Sequence, residues 1–131
     1  MKRLLAVLLV CLMVVGCSSG KLVIDKGETE RYKGINGNVE ITMNSMELKG
    51  DNVRFNMTIR NLDKEPLSLE ASHFSTGFNN IAKTDYSEGT LMPGESVTGN
   101  GSLNYKWEKG DHSISFWLGF NRLMDFDFKI Q

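Results

Sequence analysis

The chain has 131 residues, with 15 basic and 16 acidic side chains and a formal net charge of −1. That balance argues against nucleic acid or a polyanionic surface as a partner. Two cysteines and two histidines are too few for a disulfide framework or a cysteine-rich zinc scaffold.

The N-terminus carries the first clear signal. Lys2 and Arg3 precede Leu4 to Val15, a run of twelve residues without a charge. It is shorter than the roughly 20 residues that cross a bilayer as a helix, and fits the apolar core of an export signal, about 7 to 15 residues. Val14-Val15-Gly16-Cys17 follows, with two branched apolar residues and a small residue ahead of a cysteine. This stretch resembles the bacterial lipobox. The resemblance implies cleavage after Gly16, a diacylglyceryl group on the sulfur of Cys17, and residence on the outer, extracytoplasmic face of the cell membrane. One acyl chain holds a protein there only marginally, whereas two or more hold it stably.

Residues 1–16 are thus expected to be a lipoprotein signal peptide, which leaves 115 residues, the size of one domain. Lys2 and Arg3 leave with it, so 13 basic side chains remain against 16 acidic ones. Cys11 is lost too and Cys17 is consumed by lipid, so the mature domain is expected to fold without a disulfide. Residues 17–35 are expected to be the lipidated cysteine and a polar tether. The triplet Leu22-Val23-Ile24 interrupts its polarity and either stays in the tether or docks as a short strand.

Residues 36–131 alternate apolar and polar side chains almost throughout, the period of strands that bury one face. Val53, Phe55, Met57 and Ile59 are the clearest run; ahead of them Val39, Ile41 and Met43 slip phase at Asn44-Ser45, which predicts a bulge. Lys49 to Asn52 is the expected turn between the two strands. Asp63 to Pro66 turns the chain toward Leu67 and Leu69, and Phe74 to Phe78 form a strand or structured loop. Pro93-Gly94 has the residues of a type II turn. The strand after it carries Gly99 and Gly101 on the same face as Val97, Leu103 and Tyr105, which predicts close approach by something bulky. Ile114, Phe116, Leu118 and Phe120 are expected on one core face, with Asn121-Arg122 as a turn before Phe126, Phe128 and Ile130. No segment has a helical period, and the strand spacing points to an all-β, antiparallel sandwich.

Thr58-Ile59-Arg60-Asn61, Asp63-Lys64-Glu65-Pro66, Phe74 and the stretch Gly89 to Gly99, Gly-x-Leu-x-Pro-Gly-Glu-x-Val-x-Gly, carry a second resemblance. Together they resemble the immunoglobulin-like domain of small Gram-positive lipoproteins of unknown function, a domain similar in fold to a secreted mycobacterial immunoprotective antigen. The resemblance spans roughly residues 36–130. It implies an immunoglobulin-like β-sandwich with a lipid anchor, and it brings no catalytic residues.

The chemistry-bearing residues are sparse. His73 and His112 have no metal-ligand spacing and are expected in loops or at a rim; no Gly-x-Ser-x-Gly elbow is present. Asp125 and Asp127 project from one face of the last strand, where two carboxylates could share a calcium ion or flank a sugar, or simply form its solvated face. Asn56-Met57-Thr58 and Asn100-Gly101-Ser102 match a glycosylation sequon that has no meaning in a bacterial lipoprotein. Trp117 lies out of phase with the core residues of its strand, so it either meets a partner, covers a sheet edge or packs under the N-terminal tether, and Arg54 and Arg60 point outward on theirs, framing an acidic surface or simply solvated.

The expectation is a non-enzymatic, membrane-anchored protein-binding module that uses Trp117, Arg54 and Arg60. It has no cofactor beyond its lipid, no nucleic-acid partner, and a protein partner near the membrane. One alternative is an exclusion or immunity lipoprotein of a mobile element that blocks a conjugation or phage-entry machine. Another is a cell-wall polysaccharide binder or hydrolase built on Asp125 and Asp127.

Overall fold

The computed structural model describes residues 22–23, 28–34 and 37–131, so the expected export signal, Gly16 and Cys17 lie outside the described residues. The described chain is all-β, without a helix. Its strands are β1 (Leu22–Val23), β2 (Glu28–Gly34), β3 (Gly37–Lys49), β4 (Asn52–Asn61), β5 (Leu67–Ser68), β6 (Ser72–Thr76), β7 (Asn80–Ile81), β8 (Lys83–Thr84), β9 (Thr90–Leu91), β10 (Ser96–Asn104), β11 (Gly110–Leu118) and β12 (Asn121–Ile130). One sheet has the order β1-β12-β11-β6-β7, a second has β2-β3-β4-β10-β8, and β5 pairs with β9. Each of these pairings is antiparallel.

Alternation builds the core. Val53, Phe55, Met57 and Ile59 of β4 are buried, as are Ile114 and Phe116 of β11 and Phe126 and Phe128 of β12. Phe74 of β6 joins the two sheets, its ring 5.0 Å from Phe116 and 5.4 Å from Phe55 of the other sheet. Burying such side chains is worth about 1.5–3 kcal/mol each. Both sheets contribute to one hydrophobic core, an arrangement consistent with a β-sandwich.

The phase slip is a β-bulge, with the β3–β4 register shifting between Met43 and Ser45. It returns Met46 to the side facing Phe55. Pro93-Gly94 forms the turn its residues dictate, with Gly94 at φ 81° and the Glu95 N–H donating to Met92 O at 2.9 Å. Gly99 and Gly101 admit bulky neighbours. A Cβ on Gly101 would lie 2.2 Å from Phe55 Cζ, and one on Gly99 would lie 2.6 Å from Tyr86 Cβ.

Three expectations change. In the segment 17–35, Leu22–Val23 takes the strand alternative as β1, paired with β12 through Leu22↔Ile130, and the change is β2, which lies wholly within the expected tether and pairs along β3. β2 was hidden by its polarity. It is an edge strand that offers the core only half-buried Tyr32, and holds Arg31 in an ion pair with Glu40 at 2.7 Å. The last turn falls at Gly119-Phe120, not Asn121-Arg122, because Gly119 supplies φ 60° at the first position of a two-residue hairpin loop. Phe120 therefore leaves the core face and is fully exposed, while Leu118 is half-buried. Finally, His73 and His112 lie within β6 and β11, half-buried, where neighbouring aromatic rings seat them.

Candidate interaction surface

Trp117 stands on β11, an inner strand between β12 and β6, so it does not cover a sheet edge. The register shift between Phe116 and Trp117 sets Trp117 opposite Arg122 on β12 and His73 on β6. The His73 and Trp117 rings stack with centroids 5.8 Å apart and planes 8° from parallel. After β6, Gly77 at φ 67° turns the chain so that Phe78 leans toward Trp117, 6.2 Å between centroids. The indole Nε1 is enclosed and has no acceptor among the described residues. Phe78 is 85% exposed and Ile81 of the same hairpin 58%. Large apolar side chains grouped on a surface mark interaction sites, and aromatic residues are enriched at the centres of interfaces.

The two carboxylates of β12 are both exposed, but in different surroundings. Asp125 accepts from the Ser115 hydroxyl at 2.6 Å and lies 3.6 Å from Arg122 Nε. Asp127 borders an open concavity at the far end of the strand, together with Asp111, His112 and Lys129. Among the described residues, no group of three His, Cys, Asp or Glu is placed to hold a metal.

Arg54 and Arg60 are exposed on β4, in the other sheet from Trp117, so the three residues do not form one surface. Arg60 faces Glu40 and Ser96 in register. Arg54 lines a groove of about 580 Å³ that crosses β3, β4, β10 and β8, with Asn56, Lys83, Asp85, Asn100 and Ser102. The Asp85 carboxyl is held below the usual aspartate range, first by the Asn100 backbone N–H at 2.5 Å and then by the Asn100 side-chain amide. Away from the groove, burial raises the Tyr86 phenol above its ordinary value, opposed by its hydrogen bond to Ser72 at 2.6 Å.

Sequence reasoning missed Phe78, His73 and the groove. The run Phe74 to Phe78 reads as strand or structured loop, and only a positive φ at Gly77 brings Phe78 over Trp117. The groove needs four strands whose order the sequence does not state. No known protein-family model matches the chain, and no curated protein is significantly similar to it. No helix among the described residues is long and apolar enough to cross a membrane.

Proposed function

We propose that this chain is a membrane-anchored extracytoplasmic lipoprotein whose immunoglobulin-like domain is a non-enzymatic protein-binding module, docking through the Trp117 surface. The single observation that carries the reading is the aromatic cluster of Trp117, His73 and Phe78 on the outer side of a sheet whose other side is core. Strand order supports the immunoglobulin-like part. The run β3-β4-β10-β8 corresponds to strands A, B, E and D of that fold, and β12-β11-β6-β7 to G, F, C and C′.

Anchor and cluster fit one geometry. Only residues 18–21 separate Cys17 from β1, a span of at most about 17 Å. Leu22 pairs with Ile130 at the end of β12, while Trp117 faces Arg122 near its start. Eight residues of strand cover about 27 Å. Lipid on Cys17 would hold the Ile130 end near the membrane and present the aromatic cluster away from it.

In-cell crosslinking with mass spectrometry tests this by comparing three forms: wild type, a Phe78→Ala/Trp117→Ala variant, and Cys17→Ala secreted with an unlipidated signal. A membrane-protein partner captured by wild type and lost from both others is the expected result. Equal capture by all three would refute it.

A further inference from the structure

The groove on the other sheet is a second site, independent of the Trp117 surface. We infer that it binds a short saccharide bearing a negative charge, carboxylate or phosphate, with sugar hydroxyls on a row of amides and the anion between Arg54 and Lys83. At about 580 Å³ it lies within the range of small-ligand sites, about 300–1,000 Å³. Gly101 forms part of its lining.

Two rows of side chains cross it. In the first, Asn56 Nδ2 donates to Asn100 Oδ1 at 2.9 Å, and Asn100 Nδ2 donates to Asp85 Oδ2 at 3.2 Å. Asn44 completes the row from the far side by donating to Asn56 Oδ1 at 2.9 Å. A primary amide has two N–H groups and two lone pairs. Asn56 and Asn100 therefore each retain one donor and one acceptor, already oriented by their neighbours. Adjacent donor–acceptor pairs of this kind match vicinal hydroxyl groups, and little side-chain entropy remains to be lost on binding.

The second row is Glu47, Arg54, Ser102 and Lys83, neighbours across four strands. Arg54 and Lys83 flank Ser102 from either side, about 10 Å apart along the sheet. Neither has an ion pair or a side-chain hydrogen bond among the described residues. Arg54 stands opposite Glu47 in register without pairing to it. Glu47 on β3 ends the row on one side, and Asp85, just after β8, is already engaged by Asn100. An anion on a sugar would lie over Ser102, between Arg54 and Lys83.

The test is NMR titration of the full chain in detergent micelles, with four probes: trigalacturonate, glucose 6-phosphate, neutral maltotriose and inorganic phosphate. Trigalacturonate or glucose 6-phosphate is expected to give saturable shifts of the Asn56 and Asn100 side-chain amides. Arg54→Gln/Lys83→Gln should weaken that binding at least about tenfold. Glu47→Gln should strengthen it, and Trp117→Ala should leave it unchanged. Absence of saturable shifts with both anionic sugars would overturn the inference. So would equal binding of maltotriose, or inorganic phosphate that shifts the same amides as strongly as the sugars.

Discussion

Gly101→Ala tests whether the cross-strand contact between Gly101 and Phe55 is as tight as the geometry requires. The added Cβ would meet Phe55 Cζ at 2.2 Å, Cε2 at 2.5 Å and Cε1 at 2.8 Å. The ring cannot swing away cheaply, because Phe55 is 2% exposed and packs 5.4 Å from Phe74. Overpacking of this kind costs about 1–3 kcal/mol. Against it stands a gain of about 0.4–1 kcal/mol from restricting the unfolded chain, available because Gly101 has no positive φ. The clash wins, for a net loss of about 1–2 kcal/mol, or roughly 5–10 °C in Tm for a domain near 100 residues. Urea and thermal unfolding of the protein made without residues 1–17 would measure it. A double-mutant cycle with Phe55→Leu, which shortens the ring side, should return a favourable coupling of about 1–2 kcal/mol. Gly101→Ala at or above wild-type stability, or a cycle without coupling, would show that the contact is not the constraint.

Asn61→Ala should be costlier than its single amide suggests. Asn61 is fully buried, donates to Glu65 O at 2.8 Å and Leu91 O at 2.9 Å, and accepts from the Asp63 N–H at 2.8 Å. Leaving those groups unpaired should cost about 2–4 kcal/mol in urea unfolding, and a loss under about 0.5 kcal/mol would contradict it. Tyr86→Phe removes the hydroxyl that must donate to Ser72, since the Ser72 proton goes to Leu69 O at 2.6 Å; a loss of about 1 kcal/mol is expected. Asp85 is held below its ordinary value, so its contribution is complete above about pH 3.9 and fades as pH falls through the lowered folded value. The Tm difference between wild type and Asp85→Asn should therefore shrink toward zero in acid, and a difference constant with pH would refute the assignment. Cys17→Ala should move the protein from the membrane fraction to the soluble one on cell fractionation, an outcome that retention of the variant would contradict.

Much of the strand architecture was legible because period-two alternation is a local property of the chain. Val53 to Ile59 had to bury one face whichever strand lay beside them, and Asn44-Ser45 had to break phase somewhere along β3. Even the close approach was visible, since glycines at positions 99 and 101 stand where a core strand would otherwise place side chains. β2 was not legible, because an edge strand needs few apolar residues and backbone pairing carries most of its order. Phe120 was misassigned for a related reason. Alternation continues on paper through Gly119, whereas its positive φ reverses the chain there.

Strand periods and most of the turn residues are contiguous patterns, and the sequence by itself determined them. Which residues share a surface was decided only by the tertiary structure. Trp117 meets His73 and Phe78, Asn56 meets Asn100, and Arg54 parts from Trp117, all through strand order. The reason is that strand pairing satisfies the same backbone groups whatever the neighbour, so the choice of neighbour rests on how the buried faces of distant segments fit together.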